Sequence, residues 1–182
     1  MPANANGAKV INMSLGGDAP CSSYFQSALD FAAAQGVAVV AAAGNENSPA
    51  SGSTPANCNN IITVGATGRE GNKAVYSNYG PEVDVSAPGG DGSTGEANTI
   101  LSTWNDGTTG QGSETYGYMQ GTSMAAPHVA GVAALMMAAN PNLTPAPLSA
   151  RWVVHCTSDA GVHPTARSRG RTVRGFRFCR VR

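Results

Sequence analysis

Three features of the first part of the sequence predict an α/β fold built on a parallel sheet. The segments KVINMSLGG and VAVVAAAGN are short apolar stretches that end in turn residues, and SSYFQSALDFAAAQG lies between them. The last of these has a serine start, a helical apolar repeat and a terminal glycine. Strand, helix and strand in succession form a crossover unit, and a fully apolar strand is typical of a parallel sheet that is covered on both faces.

Binding groups are expected at one edge of this sheet. Open parallel sheets place them beyond the carboxyl ends of the strands. In this sequence, Ser14, Leu15 and Gly16 follow the first strand, and residues 43–45, which are Ala, Gly and Asn, follow the second. We therefore expect these two short segments to border a common site.

Further strands are predicted at residues 61–64, 83–86 and 99–103, separated by the Gly, Asn, Ser and Pro clusters that mark loops. Residues 105–120 are predicted to form a loop that leads to the last helix. That helix, residues 124–139, is apolar on nearly all sides, with His128 as its one clearly polar side chain. This pattern predicts a helix buried in the core.

The stretch GTSMAAPHVAG allows two interpretations of Ser123. As a helix cap, its hydroxyl would accept a hydrogen bond from an N–H group of the first turn. As a nucleophile, it would lie at the positive end of the helix, where unpaired N–H groups favour a developing anion. These residues alone leave both interpretations open.

The composition divides the chain near Ala150. Its 182 residues have the length of one domain, but residues 1–150 carry three basic and ten acidic residues, whereas residues 151–182 carry eight arginines and one acidic residue. We interpret residues 151–182 as a divergent arginine-rich tail, disordered or produced by a shifted reading frame. A nucleic-acid partner is not expected, because no binding fold surrounds these arginines.

Membrane and export signals are not apparent in the sequence. We find no run of about 18 apolar residues, which predicts that no segment spans a membrane. The N-terminal MPANANGAKVINMS lacks the basic region and apolar stretch of a signal peptide. We therefore expect no membrane partner, and no signal peptide within this chain.

Five segments in order carry a family resemblance: INMSLGG, VVAAAGNEN, IITVGAT, VDVSAPGG and GTSMAAPHVAGVAAL. They resemble segments of the subtilisin-like serine proteases, the subtilases, over roughly residues 8–148. The resemblance implies a three-layer subtilisin-like α/β fold. It also implies that the chain carries this fold incompletely, with residues 1–150 forming the C-terminal half of a catalytic domain.

The resemblance assigns the chemistry to two residues. It implies that Ser123 is the nucleophile and that the side-chain amide of Asn45 binds the oxyanion, with the Ser123 N–H group as the second donor. The assignment agrees with the chemistry of acyl transfer, because preset donors stabilise the negative charge that develops on the carbonyl oxygen.

The resemblance also implies a peptide-binding cleft. Two backbone edges would enclose an extended peptide or protein substrate, Ser14, Leu15 and Gly16 on one side and Ala42, Ala43 and Gly44 on the other. Small residues on the second edge leave room for a bulky side chain. We expect an endopeptidase, acting as a monomer, that cleaves after apolar or aromatic residues.

A serine nucleophile needs a base, and the base needs an orienting acid. The D-[ST]-G and H-G-T-H segments that supply them in subtilases do not occur in these 182 residues. His128 lies about 140° around the helix from Ser123, and no motif surrounds His155 or His163. We expect the parent protein to be a serine endopeptidase and the chain alone to be inactive. The alternative is a pseudoenzyme or a broken gene product that retains a peptide-binding cleft.

The resemblance further implies a disulfide between Cys21 and Cys58, and with it an oxidising compartment and secretion of the parent protein. Two unpaired thiols are the alternative. No Cys or His spacing resembles a zinc site, and no cofactor is required. Calcium is a structural ion that the resemblance allows, with Asp91, Glu96 and Asp106 as loop residues able to contribute oxygens. The alternative role of these three residues is solvated surface charge.

Overall fold

The computed structural model describes residues 6–144, and the predicted tail of residues 151–182 lies outside them. Two helices and eight strands give the fold its framework. In chain order they are β1 (Val10–Met13), β2 (Gly17–Asp18), α1 (Ser23–Ala34), β3 (Ala38–Ala42), β4 (Ser53–Thr54), β5 (Ile62–Thr67), β6 (Val85–Pro88), β7 (Ile100–Asn105), β8 (Glu114–Met119) and α2 (Thr122–Ala139).

The central sheet has the strand order β1-β3-β5-β6, and all of its neighbouring pairs are parallel. This confirms the predicted parallel sheet. Every residue of β3 and β5 is buried, which explains why both strands are continuously apolar or small. Because adjacent strands run in the same direction, the chain leaves β1 and β3 at the same edge of the sheet.

Helix α1 forms the predicted crossover between β1 and β3. The Ser22 hydroxyl accepts a hydrogen bond from the Phe25 N–H group at 3.2 Å and so caps the helix. Gly36, with a φ of 72°, follows the end of the helix. Leu29 is buried against Val39 and Ile61, and this contact fixes the helix on one face of the sheet.

Helix α2 packs on the opposite face of the sheet, against β1, β3, β5 and β6. Its buried residues are mostly small, which lets the helix approach the strands closely: Thr122, Ala125, Ala126, Val129, Ala130, Ala133 and, in the last turn, the larger Met137. The prediction of a helix buried on all sides is wrong, since Leu135 is 65% exposed and Pro127 and His128 are also exposed. Apolar composition alone did not reveal that the sheet covers only one face.

The expectation that no segment is long and apolar enough to span a membrane needs a correction. Within residues 6–144, α2 is the one helix that meets such a test by length and composition. Its contacts with four strands are those of the core helix of a folded domain. Alanine and methionine raise its mean hydropathy without long aliphatic runs.

The predicted loop of residues 105–120 contains a strand that sequence reasoning missed. Residues 114–119 form β8, which pairs antiparallel with β7 from Ile100↔Met119 to Asn105↔Glu114. Threonine and tyrosine in ETYGYM favour a strand, but the glycines around it suggested a loop. The hairpin delivers the chain directly to the start of α2.

Candidate active site

A cavity of about 220 Å³ opens at the edge where β1 and β3 end, beside the start of α2. The segments that follow the two strands form two of its walls, and the first turn of α2 forms a third. The residues that line it are Leu15, Gly16, Gly17, Ala42, Gly44, Asn45, Glu46, Ser53, Thr122 and Ser123. The two segments predicted to border a common site therefore meet, together with the start of the last helix.

Hydrogen bonds to Thr122 fix the orientation of the Asn45 side chain. Its Oδ1 accepts from the Thr122 N–H group at 2.8 Å and from the Thr122 hydroxyl at 2.9 Å. The same hydroxyl accepts a hydrogen bond from the Gly44 N–H group at 3.2 Å, and Thr122 is fully buried. Because Oδ1 accepts both of these hydrogen bonds, Nδ2 is the end of the amide that remains available. Within residues 6–144, no acceptor is bonded to this Nδ2.

Ser123 is not the cap of α2, so that interpretation is wrong. The helix begins at Thr122, and its N-cap is Gly121, which has no side chain; the Thr122 N–H group is bonded to Asn45 instead. Ser123 is the second helical residue, and no acceptor in the described part of the chain is bonded to its N–H group. This unpaired N–H lies at the positive end of an 18-residue helix.

The two free donors border one small space. A Cβ atom built on Gly121 would lie 3.6 Å from the Ser123 nitrogen and 3.7 Å from both Nδ2 and Oδ1 of Asn45. Gly121 has a φ of 150°, which a residue with a side chain rarely adopts, so glycine both permits this backbone and leaves the space open. Two convergent N–H donors at a helix start are suited to binding an anion.

The end of β1 is tied to the start of α2 by two hydrogen bonds. The Ser123 hydroxyl donates to the Ser14 carbonyl oxygen at 3.2 Å, and the Ser14 hydroxyl donates to the Ser123 carbonyl oxygen at 2.7 Å. Asn12 in turn donates to the Ser14 hydroxyl at 3.0 Å. The Ser123 hydroxyl is thus held at the wall of the cavity, bonded to a backbone oxygen and not to a base.

His128 is the only histidine within residues 6–144. Its Nδ1 lies 2.7 Å from the Met124 carbonyl oxygen, one turn earlier in α2, and its side chain is exposed. His155 and His163 lie outside the described residues. No imidazole therefore contacts Ser123 in the part of the chain that the structure describes.

The residues predicted to bind substrate do not all face the cavity. Leu15, Gly16, Ala42 and Gly44 line it, and Ser14 contacts Ser123 beside it. Ala43 does not line it: its N–H group donates to Val64 and its carbonyl oxygen accepts from Asn78. These internal bonds leave the backbone of Ala43 unavailable to a peptide.

Sequence reasoning missed several residues of the site, of which Thr122 and Glu46 matter most. A carboxylate oxygen of Glu46, Oε2, accepts a hydrogen bond from the Asn45 N–H group at 2.9 Å. Each of these two residues is a sequence neighbour of a predicted site residue, and that adjacency was the only signal available. Their roles depend on hydrogen bonds that a sequence does not display.

The structure joins Cys21 and Cys58 in a disulfide, with their Cα atoms 5.3 Å apart. The bond connects the segment before α1 to the loop before β5. Cys156 and Cys179, to which no role was assigned, lie outside the described residues.

The acidic residues considered for calcium do not form a common site. Hydrogen bonds from the Ser93 side chain and from the Val75 N–H group lower the pKa of Asp91. Asp106 accepts a hydrogen bond from the Ser113 N–H group in the β7–β8 turn. Residues 6–144 contain no cluster of three His, Cys, Asp or Glu side chains that could hold a metal ion.

A second cavity, of about 470 Å³, lies at the amino ends of β5 and β6. The Oε2 atom of Glu82, one of its lining residues, is buried and has no hydrogen-bond partner. Asp84 also lines this cavity, and its Oδ2 accepts a hydrogen bond from the Thr63 N–H group at 2.9 Å. Glu82 and Asp84 thus both line this cavity, and within residues 6–144 they belong to no group of three side chains that could hold a metal ion.

Comparison with protein families gives a match to most of the chain. A model of the subtilase family matches residues 2–170. An extracellular protease of Xanthomonas campestris is 55% identical over 147 residues, which is 80% of this chain and 24% of that protein. An extracellular basic protease of Dichelobacter nodosus is 44% identical over 180 residues, which is 97% of this chain and 27% of that protein.

Solved structures give the same result. A protease from Pseudoalteromonas arctica superposes with a TM-score of 0.78 at 51% identity, over 82% of this chain and 44% of that chain. A cold-adapted subtilisin-like serine proteinase superposes with a TM-score of 0.66 at 41% identity, over 81% of this chain and 49% of that one. The sequence thus spans about a quarter of these two curated relatives and just under half of the solved chains.

Proposed function

The chain belongs to the subtilase family of serine proteases, and from this premise we propose that the whole protein is a secreted serine endopeptidase. Its fold is the subtilisin-like α/β fold. Two relatives named as extracellular proteases support the assignment to secretion. Peptides or proteins are its substrates. It acts as a monomer, without a nucleic-acid or membrane partner.

Ser123 is the nucleophile of this proposal, and Asn45 and the Ser123 N–H group are the oxyanion donors. The observation that carries it is that these two donor nitrogens lie on either side of the space above Gly121, in residues that line the same cavity. When the hydroxyl attacks a peptide carbonyl, negative charge develops on the carbonyl oxygen, and donors already in place stabilise it without reorganising. Loss of one such donor costs about 2.7–4 kcal/mol, an amount measured on subtilisin itself.

The chain alone is inactive in this proposal. Attack by Ser123 requires transfer of its proton to a base, whereas its hydroxyl donates to the Ser14 carbonyl oxygen. Subtilisin without its triad retains about 10³–10⁴-fold catalysis over water, far below that of the complete enzyme, and this value too was measured on a member of the family. The base and its orienting acid must therefore come from elsewhere in the whole protein.

A serine-directed fluorophosphonate tests this proposal. The purified 182-residue chain and its Ser123→Ala variant are incubated with the probe, and labelling is quantified by mass spectrometry. We expect no labelling of the chain above the level of the variant. Stoichiometric labelling at Ser123 would reveal a working base within the chain and contradict its inactivity.

The coding DNA upstream of Met1 separates the enzyme from the alternative, a pseudoenzyme or broken gene product with a peptide-binding cleft. The alternative is supported by the absence of an imidazole next to Ser123 within residues 6–144. We expect an in-frame upstream segment that encodes the aspartate and histidine motifs. We also expect the probe to label that longer product at Ser123. A stop codon there would favour the alternative.

The shape of the cavity supports cleavage after apolar or aromatic residues. Its walls include Leu15 and the small residues Ala42 and Gly44, which leave space for a large side chain. Glu46 also lines the cavity, and its Oε2 already accepts hydrogen bonds from two N–H donors. Sequencing of the fragments that the active whole protein releases from a peptide library measures this preference. Cleavage dominated by Arg or Asp at that position would exclude it.

No cofactor takes part in this chemistry. Calcium acts in the proposal as a structural ion beside Glu82, whose buried and unpartnered Oε2 supports a cation. The ion would neutralise the Glu82 carboxylate and would hold together the loops that precede β5 and β6, which line the same cavity.

A further inference from the structure

The segment between β5 and β6 contains residues 73–79, which we name the clasp loop. It is hydrogen-bonded to the segment that carries Asn45. It is also hydrogen-bonded to Gly89 and Gly90, and Gly89 in turn binds the N-cap residue of α2. We propose that Asn78, the last residue but one of the clasp loop, is a positioning residue that holds Asn45 in its anion-binding place, an inference that rests on the proposed function. Tyr76 likewise positions the start of α2, through the carbonyl oxygens of Gly89 and Gly90.

The Asn78 side chain is buried, 1% exposed, and within the described residues it bonds to the segment on either side of Asn45 and to Ser53. Its Oδ1 accepts from two N–H groups at 3.0 Å, and its Nδ2, with two hydrogens, lies 2.8–3.1 Å from three acceptor oxygens. The N–H groups belong to Glu46 and Ser48, and the oxygens to the Ala43 backbone, the Glu46 carboxylate and the Ser53 hydroxyl.

Gly44 shows how closely this segment fits against Asn78. A Cβ atom at Gly44 would collide with the Asn78 amide nitrogen. The φ of Gly44 is 106°, a value that also favours glycine. Glycine at position 44, directly before Asn45, therefore leaves the space that the Asn78 amide occupies.

Glu46 extends this hold to the backbone of Asn45. Its Oε2 accepts from the Asn78 Nδ2 at 2.8 Å and from the Asn45 N–H group at 2.9 Å. The Asn45 backbone is thus held through Asn78 and Glu46, while its side chain is held by Thr122. Both constraints are needed, because a donor that moves by a fraction of an ångström no longer meets the developing charge.

The clasp loop reaches the start of α2 through Tyr76. The Tyr76 hydroxyl lies 2.6 Å from the Gly90 carbonyl oxygen and 2.9 Å from that of Gly89. The Gly89 oxygen also accepts a hydrogen bond from the Gly121 N–H group at 3.0 Å, and the Tyr76 carbonyl oxygen accepts from Asn47 at 2.8 Å. The clasp loop therefore binds both the segment that carries the Asn45 donor and the residues that hold the helix start with the Ser123 N–H donor.

The test measures anion binding, which needs no catalytic base. The ligands are an N-acetylated tetrapeptide ending in phenylalanine, as the free carboxylate and as the carboxamide, which differ only in the terminal anion. Isothermal titration calorimetry with the full 182-residue chain gives the ratio of the two dissociation constants. The variants are Asn78→Ser, Tyr76→Phe, Asn45→Ala and Asn57→Ser.

Asn57→Ser is the matched control. The Asn57 amide also donates to two backbone oxygens, those of Ala19 and Ser51, at 2.9 and 3.0 Å, but it makes no contact with the Asn45 segment from 43 to 48. Thermal unfolding of every variant is recorded alongside, so that a general loss of stability is seen separately from a loss of anion preference.

We expect the wild-type chain to bind the carboxylate about tenfold more tightly than the carboxamide, the value of one hydrogen bond to a charged group. Asn45→Ala abolishes this preference. Asn78→Ser reduces it to about twofold and leaves carboxamide affinity unchanged, while Asn57→Ser keeps it in full. Tyr76→Phe, which removes a single hydroxyl, reduces the preference to about threefold.

If Asn78→Ser keeps the wild-type preference for the carboxylate, the inference is overturned and the proposed function stays intact. If Asn78→Ser fails to fold, an unchanged preference in Tyr76→Phe overturns it in the same way. A different result counts against both. If the wild-type chain shows no preference, or if Asn45→Ala retains it, then Asn45 does not bind an anion and the proposed function fails together with this inference.

Discussion

Among single residues, Thr122 joins the two halves of the candidate site. It is fully buried, and its hydroxyl accepts a hydrogen bond from Gly44 and donates one to the Asn45 Oδ1. The side-chain amide of asparagine otherwise rotates with little preference. Thr122 therefore decides which end of the Asn45 amide faces the cavity.

Thr122→Val tests the contribution of this hydroxyl. The change leaves the part-buried Gly44 N–H group without an acceptor, and we expect a loss of about 1–2 kcal/mol in the free energy of unfolding. Urea denaturation measures it, with Thr122→Ser, which keeps the hydroxyl, as the control. Equal stability of the valine variant and the wild type would show that this hydrogen bond is dispensable.

The part-buried hydroxyl of Tyr76 should make the free energy of unfolding depend on pH. Burial, more than any other cause, raises the pKa of Tyr76 from 10.0 to about 12. Because the folded state holds this proton more tightly than the unfolded state, the contribution is complete below pH 10.0 and is lost as the pH rises to about 12. Urea denaturation across this window should show a steeper loss for the wild type than for Tyr76→Phe. Parallel curves would contradict it.

At the scale of elements, the site depends on where strands and helices end. β1 and β3 are parallel neighbours, so Ser14 and Asn45 leave the sheet at the same edge. The β7–β8 hairpin then returns the chain to Gly121, whose N–H group donates to Gly89 just beyond β6. Three connections distant in sequence thus converge at the first turn of α2.

The disulfide joins two of these connections, the one after β1 and the one after β3. Cys21 and Cys58 are 37 residues apart in sequence, and closing a loop of this size in the unfolded chain is worth about 3–4 kcal/mol. We expect the double variant Cys21→Ser, Cys58→Ser to lose that amount in urea denaturation under oxidising conditions. Addition of a reductant should lower the stability of the wild type but not that of the double variant. No effect of the reductant on the wild type would contradict the prediction.

At the scale of the whole molecule, the two cavities lie at opposite ends of the central sheet. The candidate active site lies beyond the carboxyl ends of β1 and β3, as expected for an open parallel sheet. The cavity with Glu82 and Asp84 lies at the amino ends of β5 and β6. Ion binding at the second cavity can therefore change stability without contact with the first.

Calcium should raise the melting temperature, because an ion that binds only the folded state stabilises it by mass action. Glu82→Gln is expected to abolish this rise. In the presence of a chelator the same variant should be as stable as the wild type or more so, since it removes a buried and unpartnered carboxylate oxygen. Differential scanning calorimetry with calcium and with the chelator measures both effects. A calcium response that persists in Glu82→Gln would place the ion elsewhere.

The sequence by itself determined the features that arise from neighbouring residues. It predicted β1, α1 with a serine start, β3 and the parallel sheet, because each follows from local periodicity and turn residues. The motifs around Asn45 and Ser123 were also visible in it, and from them came the prediction that both residues belong to one site. That prediction needed no knowledge of distances.

Only the tertiary structure decided what surrounds these residues. Asn45 and Thr122 are 77 residues apart in the chain, and Glu46 and Asn78 are 32 apart, yet both pairs are joined by hydrogen bonds. Such bonds exist only after the sheet and helices have packed, so no local pattern announces them. The exposed face of α2 and the short β2–β4 pair were missed for the same reason, since burial and pairing are properties of the assembled fold and not of a segment.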